Sequence, residues 1–312
     1  MMRYNSLRLR PKCFLAFTGL TVEEFDRLVA LIHSDWITQR HERLEKQNPH
    51  RKRNEGGGRK YSMETLEDQL LLVLVWSRLY LIYLTIEYLF GVDESTVSRT
   101  IQRIQPLLQD RFMLPERLPQ KKIRTIEELK KFLPPDIDLN DILADATEQV
   151  MPRPEKKRKR KPYHSGKKRK FTLKTQIAVT KKGFIIHVSP TIGGRTHDYK
   201  LFKKTQLPQL VPEDSTLYVD NGYQGIKKDY PDLAVSIPFK RHRNHTILTR
   251  SEKIFNKKQR KVRIKVENSI AKLKKYSVLS GVYRHSLQNY NRTFRFVANI
   301  VNFRMIQRLQ AV

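Results

Sequence analysis

The sequence predicts an all-α segment followed by a mixed α/β segment. Between residues 62 and 110 apolar side chains recur at helical spacing, and one helix of this stretch is apolar nearly all round. Beyond residue 137 the pattern changes to short strand-like runs that alternate with helices: three strands, a helix, a strand, a further strand, then long helices. Composition bounds both halves. The 312 residues carry 62 Lys and Arg against 31 Asp and Glu, a net charge of +31, while 39% are apolar, enough for a folded core.

A charge this large opposes compaction unless an anionic partner screens it, and nucleic acid is the expected partner. The longest uninterrupted apolar run, Leu70 to Trp76, is far shorter than the roughly 18 residues that span a bilayer, so no membrane role is expected. The N-terminus has no apolar core resembling a secretory signal. Cys13 is the only cysteine, which excludes an internal disulfide or a zinc–cysteine cluster and fits a reducing compartment. Nine histidines without HxH or HExxH spacing argue against zinc.

In chain order, residues 18–35 read as a helix with Thr21 and Glu24 as a capping box and Val22, Phe25, Leu28, Val29 and Ile32 on one face. Residues 47–60 are polar, basic and glycine-rich, as in a linker. A helix from Ser62 to about Arg78 precedes a short helix, Thr85 to Phe90, a turn at Gly91 and a helix capped by Asp93 with Val97, Ile101 and Ile104 on its inner face. That is the helix-turn-helix pattern, and its outer face offers Arg99, Gln102 and Arg103 to DNA bases and phosphates. A Pro- and Lys-rich connector follows, carrying one short helix at 125–132. The expected divisions are an N-terminal helical region and linker at 1–60, a helix-turn-helix domain at 61–113, a connector at 114–136 and an α/β domain at 137–312.

In the second half, residues 138–145 read as a strand ending in Asp145. The basic run 155–170 reads as a solvated loop. Runs 171–180 and 184–189 form a hairpin through Lys181-Lys182-Gly183. Leu217 to Val219 form a strand tipped by Asp220, ahead of the turn residues Asn221 and Gly222. The helix from Ser251 to about Tyr276 holds Glu267, and residues 287–310 form a helix whose packing face is Tyr290, Phe294, Val297, Val301 and Met305. Asp145, Asp220 and Glu267 lie 75 and 47 residues apart on separate elements. Paired hard metal ions about 3.5–4 Å apart need carboxylates from separate elements, because one helix or strand cannot surround them. Glu148 reads as pointing away from this set or supporting it from behind, and His197-Asp198 either as a helix cap or as a pair that positions water or DNA.

Several segments in fixed order resemble the DDE transposases of bacterial insertion sequences, in the group related to the eukaryotic Harbinger elements. They are GGGRK at 56–60, the helix-turn-helix at 84–104, DATE at 145–148, YHSGKKRKFTLKTQ at 163–176, GGRTHDYKLF at 193–202, VDNGYQG at 219–225 and RIKVENSIAKLK at 263–274. The resemblance implies a ribonuclease-H-like catalytic fold, with a mixed sheet flanked by helices, in which Asp145, Asp220 and Glu267 bind two Mg2+ ions that Mn2+ can replace. It implies double-stranded DNA as partner, both the element's terminal inverted repeats and target DNA, a homodimer or larger assembly on that DNA, and a cytoplasmic, nucleoid-associated enzyme. In related enzymes the glutamate helix carries Y-x2-R-x3-E-x6-K. Arg263, Glu267 and Lys274 match it, as DNA-backbone contacts around the glutamate, while Arg260 stands at the tyrosine position. Two alternatives stay open: a catalytically silent DNA-binding regulator, and a ribonuclease-H-like nuclease without strand transfer.

Overall fold

The computed structural model describes residues 1–47, 62–109, 111–114, 123–135, 137–205, 207–241 and 247–310. GGGRK at 56–60 and part of the expected connector lie outside them. The chain divides into two compact units, residues 1–111 with 276–278 and 306–312, and residues 112–275 with 279–305.

The first unit is helical: α1 Tyr4–Leu7, α2 Pro11–Thr18, α3 Val22–Gln47, α4 Leu66–Leu79, α5 Tyr83–Phe90 and α6 Glu94–Ile104. Helix α3 starts at the capping box read from sequence, with Glu24 N donating to Thr21 Oγ1 at 3.1 Å and Thr21 N to Glu24 Oε2 at 2.9 Å. It runs about three turns beyond the expected residue 35. HERLEKQ supplies strong helix formers without the apolar stripe by which a helix is recognised. Helix α4 is buried along its length from Leu70 to Ser77. Gly91 ends α5 in the left-handed region at φ 61°, and Asp93 caps α6 by accepting from Thr96 N at 2.9 Å. Val97, Thr100, Ile101 and Ile104 are buried, so α6 turns Glu94, Ser95, Arg99 and Gln102 outward. An alanine at Gly91 would have to hold a left-handed backbone, so Gly91→Ala is expected to destabilise this unit by about 1 kcal/mol in thermal unfolding.

The second unit is mixed α/β. Its strands are β1 Asp141–Val150, β2 His164–Ser165, β3 Lys170–Thr180, β4 Ile185–Val188, β5 Ile192–Gly193, β6 Thr216–Tyr218 and β7 Ala234–Ser236. The main path runs β2-β3-β1-β6-β7, with β4 and β5 also paired to β3. Strands β4, β3 and β1 are antiparallel, and β6 and β7 continue the sheet parallel to β1. This is the mixed sheet of a ribonuclease-H-like fold. The helices of the unit are α7 Ile126–Lys130, α8 Lys157–Tyr163, α9 Asp198–Lys204, α10 Leu207–Leu210, α11 Ile226–Asp229, α12 Arg250–Lys274 and α13 Leu287–Gln310, whose last residues belong to the first unit.

Three expectations change. Asp145 does not end β1. It lies in the middle, and residues 146–150 go on pairing with β3 from Gln176 to Thr172. Asp and Glu are poor strand formers, so DATE concealed a strand that its partner imposes. The basic run holds helix α8 and strand β2 rather than loop throughout. Helix α13 buries more than its apolar face: Thr293, Arg295, Asn299 and Asn302 are fully enclosed too. Asn302 exchanges two hydrogen bonds with the backbone of Ile185 on β4, 2.9 and 2.7 Å, and Arg295 donates to the carbonyls of Val188 and Leu114. These side chains satisfy strand β4, which is paired with β3.

Candidate active site

Strand register brings two of the predicted carboxylates together. Parallel strands β1 and β6 pair Asp141 with Thr216, Ile142 with Leu217 and Leu143 with Tyr218, a constant offset of 216 − 141 = 75 residues. Asp145 and Asp220 have the same offset, 220 − 145 = 75, and stand two residues past the last ladder pair. Neighbouring strands lie about 4.8 Å apart, so the 75-residue separation reflects side-by-side placement. Strand β1 continues beyond this point, whereas the chain after β6 breaks into a 3-10 turn, Asn221–Tyr223, with Asp220 at its N-cap.

Helix α12 packs against β1, and its Val266, Ser269 and Leu273 are buried. It begins at a capping box between Thr249 and Glu252. Ser269 Oγ donates to Gly183 O at 2.8 Å, and a Cβ on Gly183 would meet that oxygen at 2.9 Å. Gly183, at φ 87°, therefore both turns the β3–β4 hairpin and lets α12 approach it. This seating sets Arg263 between the aspartates, at 3.1 Å from Asp220 Oδ1 and 3.6 Å from Asp145 Oδ2.

Burial raises the Asp145 carboxyl to about 6, against the opposing pull of the Ala146 amide and Arg263, with Asp220 and Asp198 pushing it further up. The folded state of such an aspartate is favoured when protonated. Stability is thus expected to fall as pH climbs from the ordinary carboxylate range through about 6, and to level off above it. In chelator at pH 8, Asp145→Asn is expected to be more stable than the parent protein by about 2–3 kcal/mol in thermal unfolding. A less stable variant would show that the Arg263 pairing outweighs burial.

Glu267 is exposed on α12, one turn past Arg263 and seven residues before Lys274. Positions 263, 267 and 274 share a helix stripe. Both flanking cations reach the aspartate region. Burial and nearby Lys168 hold the Lys274 ammonium below the ordinary lysine value, while Glu148 and Asp145 pull the other way. Among the described residues no three His, Cys, Asp or Glu side chains are placed to hold a metal ion together.

Glu148 and Asp198 turn out to share a partner that sequence reasoning missed. Lys174 on β3 is 8% exposed and spends its ammonium on Asp198 Oδ1 at 2.7 Å, Thr196 O at 2.7 Å and Glu148 Oε1 at 3.2 Å. Glu148 also accepts from Thr172 Oγ1 at 2.9 Å. Burial works against its charge, but hydrogen bonds from Ser165, Thr172 and Lys174 outweigh it and lower its carboxyl. His197 sits at the N-cap of α9 without a side-chain capping bond, and Asp198 in the first turn reaches Lys174, so the pair does not cap as expected. The register of β1 and β3 sets Glu148 opposite Lys174, unlike charges directly across an antiparallel pair.

On the helix-turn-helix, Arg99 and Gln102 are exposed and Arg103 half-buried. Arg99 Nε donates to Ser95 O at 3.1 Å, and Gln102 Nε2 to Ser98 Oγ at 3.3 Å.

The residues fit a hard cation in part. Asp145 and Asp220 present carboxylate oxygens to a single positively charged group, Arg263, and buried Asn221 Oδ1, Thr147 Oγ1 and Arg263 Nε have no hydrogen-bond partner.

A mixed sheet with two adjacent aspartates at its centre, a helix bearing a basic stripe across them, and a separate helix-turn-helix define a nucleic-acid-cleaving enzyme with a carboxylate site. Residues 144–302 match the family of DDE superfamily endonucleases, and residues 61–114 match the helix-turn-helix of DDE superfamily endonucleases. The chain belongs to the DDE superfamily endonucleases, DNA-cleaving enzymes that use divalent metal ions. It is 27% identical over 300 residues, 96% of both chains, to a protein of Microchaete diplosiphon named as a transposase for insertion sequence element IS702. It is 23% identical over 270 residues, 86% of both chains, to a protein of Streptomyces albus G named as a transposase for insertion sequence element IS112. No helix among the described residues is long and apolar enough to cross a membrane.

Proposed function

We propose that this protein is the transposase of an insertion sequence, binding the terminal inverted repeats of its element and cutting and joining DNA strands with Asp145, Asp220 and Glu267. The observation that carries this reading is the shared 75-residue offset that sets Asp145 beside Asp220. Both relatives, matched over most of their length, are named as transposases for insertion sequences.

In this reading Asp145, Asp220 and Glu267 would hold two Mg2+ ions. Bound there, the ions would activate water or a 3′-hydroxyl and stabilise the leaving oxygen of an in-line displacement. The chain's own groups do the rest. Asp145 must lose its proton to serve as a ligand, and Arg263 helps by favouring the ionised form. Arg263 exchanges its aspartate contacts for a phosphate, and Lys274 holds the next part of the backbone. No covalent protein–DNA intermediate is required, because the attacking oxygen comes from water or DNA. A pair of active sites, and hence a dimer or larger assembly, brings both ends of an element to one target. Such an enzyme works where the chromosome is, at the bacterial nucleoid.

The test is incubation of the full chain with its element's end DNA and Mg2+, followed by strand-resolved mapping of products. Nicks at the element ends with joints to target DNA are expected. Nicks without joints would leave a nuclease, and uncut but bound ends would leave a regulator.

A further inference from the structure

The helical unit holds a cationic cavity that the helix-turn-helix pattern does not include. Helix α3 contributes Trp36, Gln39, Arg40 and Arg43, and α6 contributes Thr96, Arg99, Thr100 and Arg103. Each set has the spacing i, i+3, i+4, i+7, so each forms one helix stripe, and the two stripes line one cavity of about 240 Å³. The walls are tied together: Gln39 Nε2 donates to Arg103 O at 3.1 Å. Trp36 is held as well, its Nε1 donating to Gln69 Oε1 at 3.4 Å while Gln69 Nε2 donates to Met63 O at 3.0 Å. The Arg40 guanidinium stands 5.5 Å from the centre of the Trp36 ring, which orients its fork.

Among the described residues four guanidinium groups and one carboxylate, Glu64, line this cavity, and Arg99 also stands 3.8 Å from Asp93 Oδ1 outside the lining. Like charges gathered in a concave site raise its potential for an anion. The cavity is smaller than the roughly 300–1,000 Å³ of small-molecule sites and suits a single phosphodiester group. Arginine forks match phosphate oxygens in pairs.

We propose that α3 and α6 together form a phosphate clamp, in which Arg40, Arg43, Arg99 and Arg103 grip one backbone phosphodiester of the bound DNA duplex. The proposal rests on the reading of this unit as the end-binding domain and extends its interface to the long helix that precedes it. It also divides the work on α6. Arg99 and Arg103 set register on the backbone, while Gln102, which does not line the cavity, is left for base edges.

The experiment measures affinity of the full chain for end DNA and for random duplex of equal length across a salt series. The double variant Arg40→Gln/Arg43→Gln is expected to weaken binding to both duplexes by the same factor, about tenfold near physiological salt, and to reduce the log–log salt slope by about 1. Gln102→Ala is expected to weaken binding to end DNA alone. Circular dichroism on each variant keeps misfolding apart from lost contact. An unchanged slope in a folded double variant overturns the clamp, as does a loss confined to end DNA. Should the parent protein bind both duplexes equally, the reading of this unit as an end-binding domain fails, and the slope still reports on the clamp.

Discussion

Asp145→Asn and Asp220→Asn are each expected to reduce cleavage and joining of end DNA by on the order of 10³-fold or more, with DNA binding retained. The amide keeps the shape of the side chain but removes the charge that holds a hard cation. Both residues sit where one cation can meet them, since Arg263 already touches the two carboxylates. Glu267→Gln belongs to the same group. Glu148→Gln is the contrast: its carboxylate is engaged by Lys174 and Thr172, and the amide preserves the hydrogen bond from Thr172, so measurable cleavage is expected. Binding persists in the aspartate variants because the basic surfaces are unchanged, and losing negative charge beside the phosphates favours the complex. Gel-shift and cleavage assays on the same preparations separate the two effects.

Lys174→Met is expected to destabilise the α/β unit by about 3–5 kcal/mol, measured by urea unfolding followed in its own transition. The ammonium is almost fully enclosed and meets two carboxylates and a carbonyl, so its removal leaves Glu148 and Asp198 without their shared cation. The double variant Lys174→Met/Glu148→Gln is expected to recover part of the loss, because the second change removes one of the uncompensated charges. Additive losses would mean that Glu148 draws little from Lys174.

Local signals in the sequence translated well. Thr21 with Glu24, Gly91 and Asp93 each act on backbone groups within a few residues, and each does what its residue type dictates. The apolar run of α4 and the Lys181–Gly183 turn are local in the same sense. What sequence spacing could not reveal was pairing. Strand β1 extends through DATE because β3 offers it a partner, not because Asp and Glu favour strand. The adjacency of Asp145 and Asp220 follows from a parallel register that no short-range pattern encodes. Arg263 reads from sequence as a DNA-backbone contact and Lys174 as one position of a strand, yet Lys174 is buried and Arg263 half-buried against aspartates or glutamates more than 20 residues away. Long-range charge compensation becomes visible only when the sheet and α12 are assembled. Glu267 is the converse case: its stripe on α12 is defined by Arg263 and Lys274, while its own side chain remains exposed.

Metal binding tests the central claim most directly. Calorimetric titration of Mn2+ into the full chain bound to end DNA, at pH 8, reads ligation without requiring turnover. The parent protein is expected to bind the ion, with binding lost or at least about tenfold weaker in each of Asp145→Asn, Asp220→Asn and Glu267→Gln, and kept in Glu148→Gln. Normal binding by Glu267→Gln together with loss in Glu148→Gln would contradict the account and move the third ligand from α12 to β1.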